Sequence, residues 1–350
     1  MSVIDVNVIR PGVVGMLQTN MGLRPGEKVL VVSDYPVAAQ WSSSPPAELA
    51  EMSERCILGR LVAEIAAVEF DGCVFRFIPF PATGRSGTEP PHDVACAMRE
   101  SDVVIAITSY SLTHTGAREN ACLAGARVAS MPRFSAEMFY PGGPMAVDYG
   151  AVAAEARDMA DKATLAGFAE ISSPAGTRLR LDLRGRRGLP DDGIYTEKGA
   201  SGNLPAGEAY IAPLEGSAEG RIVVLPDWYP RLEEPMTILV TAGIVSALGG
   251  GGEVGRGLAE TWALDDPNPP AIAVARRNIA ELGIGTNPNA RRADVVLEAE
   301  KIRGTVHIGI GDNSHMGGVN VADFHQDFVI PEATLVFDGV AVMEGGRLLT

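Results

Sequence analysis

The sequence predicts two domains: an α/β N-terminal domain with a mainly parallel open sheet, then a β-rich α+β domain. Three observations lead there. The chain has 350 residues, long for one hydrophobic core. Its first half alternates short apolar runs with helical periodicity, the pattern of a Rossmann-like sheet with helices on both faces. Its second half switches to short strands broken by Gly and Pro. The boundary is expected near Gly167, giving domains 1–167 and 168–350.

In chain order, Glu27 to Ser33 is a short apolar run after Pro25-Gly26 and reads as a buried strand. Pro46 to Val68 carries helical spacing in two apolar rows, Leu49, Met52 and Cys56, then Ile57, Leu61 and Ile65. Cys73 to Pro79 reads as a strand, Asp93 to Glu100 as a helix and Asp102 to Thr108 as a third strand. His114 to Ala124 is expected helical, Arg127 to Met131 extended, and the alanine-rich Val147 to Ala166 helical. Thr177 to Arg184 alternates polar and apolar residues, as an antiparallel strand does. Arg221 to Leu225, Met236 to Thr241 and Ile244 to Leu248 continue as strands. Helices are expected at Glu253 to Leu264 and Ala271 to Ala280. The chain closes on a hairpin, Leu335 to Asp338 and Val340 to Met343, turned at Asp338-Gly339. A G-x-G-x-x-G pattern at Gly250, Gly252 and Gly255 follows a hairpin arm, and no acid stands where a ribose contact would be, so it reads as a flexible turn.

Composition excludes several classes. A net charge of −15 disfavours nucleic acid and anionic membrane surfaces as partners. Apolar runs fall short of the roughly 20 residues a membrane span needs. The N-terminus MSVIDVNVIRPG lacks the basic start and apolar core of a leader, so a cytoplasmic location is expected. Cys56, Cys73, Cys96 and Cys122 contain no CxxC pair and are expected to be buried, reduced thiols.

The chemistry concentrates between Arg303 and Val329, which hold three of the five histidines: His307, His315 and His325. GTVHIGIG and ADFHQDFVI read as strands joined by the glycine-rich loop Gly311 to Gly318. Strand periodicity puts His325 and Asp327 on one face, an imidazole beside a carboxylate. Nitrogen and oxygen donors together suit zinc, manganese, cobalt or ferrous iron, so the second domain is read as metal-binding. His92 and His114 lie in the first domain and are taken as incidental. Glu208, in GNLPAGEAYIAP, follows a turn, and Glu281, in RNIAELGIGTNP, is expected at a helix end. Glu215, Glu298 and Glu300 are equal candidates on chemistry alone.

NLPAGE, AELGIGTNP, GTVHIGIG and FHQDF, in this order, resemble the thermophilic aminopeptidase T (leucyl aminopeptidase) family of metallopeptidases over roughly residues 202–339. The resemblance implies a metal-bearing C-terminal domain, a homo-oligomer of dimer size or higher, and five ligands: Glu208, Glu281, His307, His325 and Asp327. It also implies two divalent ions per chain (zinc, cobalt or manganese), with a metal-activated water removing N-terminal, leucine-like residues from peptides or related small molecules. Ligand glutamates such as Glu208 are one source of the required acid or base.

One position departs from the family. Larger members carry a tyrosine seven residues after the first histidine ligand, where this chain has Ser314, followed by His315. Either His315 supplies the missing donor or it is a loop histidine with no role. Ring-opening dioxygenases acting on 2,5-dihydroxypyridine are similar in fold and length, and hold one Fe(II) by two histidines and a carboxylate. His325 and Asp327 match two of that set, but a histidine stands in those relatives where this chain has Glu281. The expectation is therefore a metallo-aminopeptidase. The alternatives are the dioxygenase, a hydrolase of a non-peptide amide using the same ligands, and a non-catalytic metal binder.

Overall fold

The computed structural model describes residues 4–349. Residues 1–3 of the stretch examined for a leader lie outside the described residues. The chain divides into two compact units, Met1–Tyr149 with Gly193–Ala206, and Gly150–Asp192 with Gly207–Thr350. This division differs from the expected cut at Gly167. Helix Tyr149–Leu165 buries Met159, Ala160 and Ala163 in the core of the second unit. Ser201–Asn203 returns to the first unit as a parallel neighbour of Arg127–Ser130. Neither exchange leaves a mark in local composition, because each is decided by long-range packing.

The first unit holds a five-stranded parallel sheet in which Lys28–Tyr35 pairs with both Val74–Pro81 and Val103–Ala106, and Arg127–Ser130 follows. Its central strands are buried on both faces, which is why they read as continuous apolar runs. Leu30, Val32, Val104 and Val128 pack against Val94 and Met98 of helix His92–Arg99. Helix Pro46–Glu69 buries Leu49, Met52 and Ile65 as expected, but Leu58 and Val62 are buried in place of Ile57 and Leu61, and Ile57 is exposed. Helix Val6–Gly15 was not anticipated; Pro11 inside it breaks the sequence signal. The four cysteines are free, as expected, but half-buried instead of buried.

The second unit holds an eight-stranded and a five-stranded antiparallel sheet. They share one core, in which Leu181, Ile222 and Ile238 from the larger sheet join Ile211, Leu282, Ile308 and Phe328 from the smaller. The closing hairpin forms at Asp338-Gly339, both with positive φ (48° and 85°). Asp338 caps it by accepting from Gly167 N (2.7 Å) and Phe168 N (2.9 Å). The helix expected over Ala271 to Ala280 stops at Ala275, and Ile279–Gly285 is a strand. That strand lies inside the five-stranded sheet and is buried along its whole length, so the half-exposed alternation that marks strands is absent. Among the described residues no helix is long and apolar enough to cross a membrane.

Candidate metal centre

The five-stranded sheet runs His325–Ile330, Val306–Gly311, Ile279–Gly285, Glu208–Ile211 and Leu189–Asp191. Strand periodicity sends Leu282, Ile284, Ile308, Ile310, Phe328 and Ile330 into the shared core. The intervening positions form the opposite face, and there the potential donors stand across the ladder from glycines. Glu208 faces Gly285, His307 faces Gly283, Glu281 and Asp327 both face Gly309, and His325 faces Gly311. The glycines leave room that no other residue could. A Cβ on Gly283 would lie 1.9 Å from His307 Nε2, and one on Gly309 would lie 2.7 Å from Glu281 Cβ and 3.0 Å from Asp327 Oδ1.

All five residues implied by the resemblance meet on this face. His325 Nε2 lies 3.3 Å from Asp327 Oδ1 and 3.2 Å from Glu281 Oε2. The other oxygen of Glu281 lies 3.4 Å from His307 Nε2, which is 3.5 Å from Glu208 Oε2. Donors bound about 2.1 Å from one ion stand about 3.0–3.4 Å apart, so this spacing fits a shared divalent cation. Two groups have their donors mutually within 4.8 Å: Glu281, His325 and Asp327, and Glu208, Glu300 and His307. Each joins one imidazole to two carboxylates. The first departs from the two-imidazole, one-carboxylate facial set common for non-haem iron, yet its nitrogen and oxygen donors suit iron, manganese and zinc alike.

The two imidazoles are held differently. His325 Nδ1 donates to the Asp312 carbonyl at 2.7 Å, which fixes the ring with Nε2 directed at the carboxylates of Glu281 and Asp327, the nitrogen that would bind an ion once its proton is displaced. His307 is buried and its Nδ1 has no hydrogen-bond partner. Burial alone would lower both imidazoles. For His307 the carboxylates of Glu281 and Glu208 outweigh it and lift the ring to about 9. For His325, Asp327 and Glu281 lift it well above the ordinary value. Burial likewise opposes ionisation of Glu281, but hydrogen bonds from His307 and His325 hold its carboxyl far below the usual range.

Some contributors escape sequence reasoning. Lys301, 2% exposed, sends its ammonium to Glu208, to Asp191 Oδ2 (3.3 Å) and to Glu300 Oε2 (3.4 Å). Burial lifts Glu300 to about 8 despite that neighbour. Tyr210, on the face of Glu208, is pushed above the ordinary phenol value by burial and then by Asp191 and Glu281. Nothing in local sequence marks Lys301 or Asp191. Glu300 had been one of several equal candidates. Of the others, Glu215 accepts from Asn313 Nδ2 (2.9 Å) and Val319 N (2.8 Å), bracing the glycine-rich loop. Glu298 accepts from Arg291 N and Arg292 N.

His315 sits in the short turn Ser314–Met316 at the rim, half-exposed, its ring 5.8 Å from that of His325. Its Nδ1 lies 3.1 Å from Asp312 Oδ1. Burial would raise the Asp312 carboxyl, but Ala322 N–H, His315 and Ser314 hold it low. Asp312 thus orients both histidines, His325 through its carbonyl and His315 through its carboxylate.

Comparison with known proteins corrects the functional expectation. A family model described as NicX: 2,5-dihydroxypyridine 5,6-dioxygenase matches residues 21–350. No curated protein matches the sequence. Among solved structures, a 2,5-dihydroxypyridine dioxygenase from Pseudomonas putida KT2440 is similar at TM-score 0.73 and 18% identity, over 99% of each chain. Wild-type AmpT from Thermus thermophilus is similar at TM-score 0.64 and 13% identity, over 98% of this chain and 99% of that one. These likenesses establish a shared two-domain fold. The family match overturns the aminopeptidase reading: the dioxygenase family model matches residues 21–350, whereas the likeness to AmpT shows the fold alone.

Proposed function

Because the chain belongs to the NicX family of 2,5-dihydroxypyridine 5,6-dioxygenases, we propose that it is an iron-dependent, ring-cleaving dioxygenase acting on a dihydroxylated pyridine. The match over residues 21–350 carries this reading, since it spans the metal-centre strands and the first unit alike. Glu281, His325 and Asp327 would hold the ion. When bound, ferrous iron would supply the one-electron chemistry that ground-state dioxygen requires.

The remaining roles belong to the chain. The Asp312 carbonyl fixes the His325 tautomer, and Glu281 divides its two oxygens between His307 and His325. His325 and Asp327 are partly open to solvent while Glu281 and His307 are buried, so substrate approaches from the side of His325 and the rim loop. A dihydroxypyridine must lose a hydroxyl proton to become electron-rich enough for ring opening. His315 is the candidate acceptor, because it stands at the rim with its ring 5.8 Å from that of His325 and is oriented by Asp312 through Nδ1.

The test is oxygen uptake by protein reconstituted anaerobically with ferrous iron and given 2,5-dihydroxypyridine. Uptake of one dioxygen per ring, with loss of the ring's ultraviolet absorption, is expected. Failure of iron-loaded protein to consume oxygen with any dihydroxypyridine isomer would refute the reading.

A further inference from the structure

We propose that Lys301 is a built-in counter-cation that closes a second divalent-metal site formed by Glu208, Glu300 and His307, and that neutralising this lysine opens it. The inference rests on the reading that Glu281, His325 and Asp327 hold the resident ion.

The donor set for a second ion is present. Glu208, Glu300 and His307 bring donors within 4.8 Å of one another. Glu208 Oε2 is buried without a hydrogen-bond partner and lies 3.5 Å from His307 Nε2. An oxygen of Glu281 lies 3.4 Å from the same nitrogen.

Lys301 engages much of this set first. Its ammonium contacts Glu208 Oε1 and Glu300 Oε2, and Asp191 supplies a third carboxylate at 3.3 Å. The lysine cannot readily withdraw. Its N–H donates to the Glu298 carbonyl (3.0 Å) and its carbonyl accepts from Asn287 N (2.8 Å), so its backbone is fixed on both sides. An ammonium satisfies buried carboxylates as a metal would, with one charge and three donors. A dication beside it would meet an unscreened positive charge in surroundings that exclude water. Among the described residues, Glu281 and Asp327 have only the two histidines as ion-pair partners, so no ammonium or guanidinium competes for their oxygens.

The experiment titrates metal-free protein with Mn(II), counting bound ions calorimetrically and by elemental analysis, with electron paramagnetic resonance reporting spin coupling between neighbouring ions. Wild type is expected to bind one ion, Lys301→Arg one, and Lys301→Met two. The second ion should bind at least about tenfold more weakly than the first, because His307 Nδ1 lacks the outer partner that is worth 10- to 100-fold in affinity. Two coupled ions in wild type, or one in Lys301→Met, would overturn the proposal. If Lys301→Met does not fold, Lys301→Gln reads the same count. Asp327→Ala separates the two readings. Undiminished binding there refutes the resident site itself, whereas loss of the ion, with Lys301→Met still at one, refutes only the role of the lysine.

Discussion

At the scale of single residues, Glu281 and Asp312 each tie two histidines. Glu281 offers one oxygen to each imidazole, so replacing it by the neutral isostere removes the charge they share. Glu281→Gln should weaken metal binding by more than about 100-fold, since losing even an outer partner costs 10- to 100-fold. Competition with a chromophoric chelator measures this; an unchanged constant would remove Glu281 from the centre. Asp312 acts on His325 through its main chain and on His315 through its side chain. Its two effects can therefore be separated by mutation. Asp312→Asn and His315→Gln should both lower kcat by about 100-fold or more, the range of general acid–base catalysis, with metal content unchanged. Loss of metal in parallel with turnover would mean that His315 merely supports the loop.

At the scale of the element, one strand has two unlike faces. In Val306–Gly311, Ile308 points into the core while Gly309 lies under Glu281, Asp327 and His325. Gly309→Ala should destabilise the fold by about 1–3 kcal/mol through overpacking and strip the metal. Ile308→Val should cost about 0.5–1.5 kcal/mol and leave metal content intact. Denaturant melts and elemental analysis of both variants check the contrast; a Gly309→Ala protein with full metal would contradict the steric account. The same two-facedness explains what could be read from the sequence. His325-x-Asp327 was legible because strand spacing alone places the pair together. Glu281 was harder, because with Ile279, Ala280, Leu282 and Ile284 all buried the segment gives no alternation and resembles a helix end. Lys301 and Asp191 were not legible at all: Asp191 meets Glu208 by strand pairing, and Lys301 reaches Glu208 across 93 positions. The family was misread for a related reason. The short motifs fall on the strands that carry the donor face of the five-stranded sheet and cover only a small part of the chain, whereas the family match extends over residues 21–350.

At the scale of the whole molecule, the centre links stability to pH. Without metal, Asp191, Glu208, Glu281, Glu300 and Asp327 surround Lys301 and two imidazoles. His307 rises from 6.5 to about 9 on folding, so its stabilising contribution is complete below about pH 6.5 and disappears as pH rises through 9. Glu300, raised to about 8, acts in the same direction, since the fold favours its protonated form. The metal-free protein should therefore melt at progressively lower temperature between about pH 6.5 and 9. Metal affinity should rise over the same interval, because ligation displaces the imidazole protons. Parallel melting curves of chelated and loaded protein test both trends; a metal-free protein that gains stability across the interval would exclude a charged His307.

The glycines paired with the donors bear on how such a protein can change over generations. The space above each glycine is filled by the donor opposite it, so a different donor can take that space without moving the main chain. Point substitutions at Glu281 or His307 could thus redirect the scaffold toward another ion, and so toward another reaction, while the sheet beneath is inherited intact.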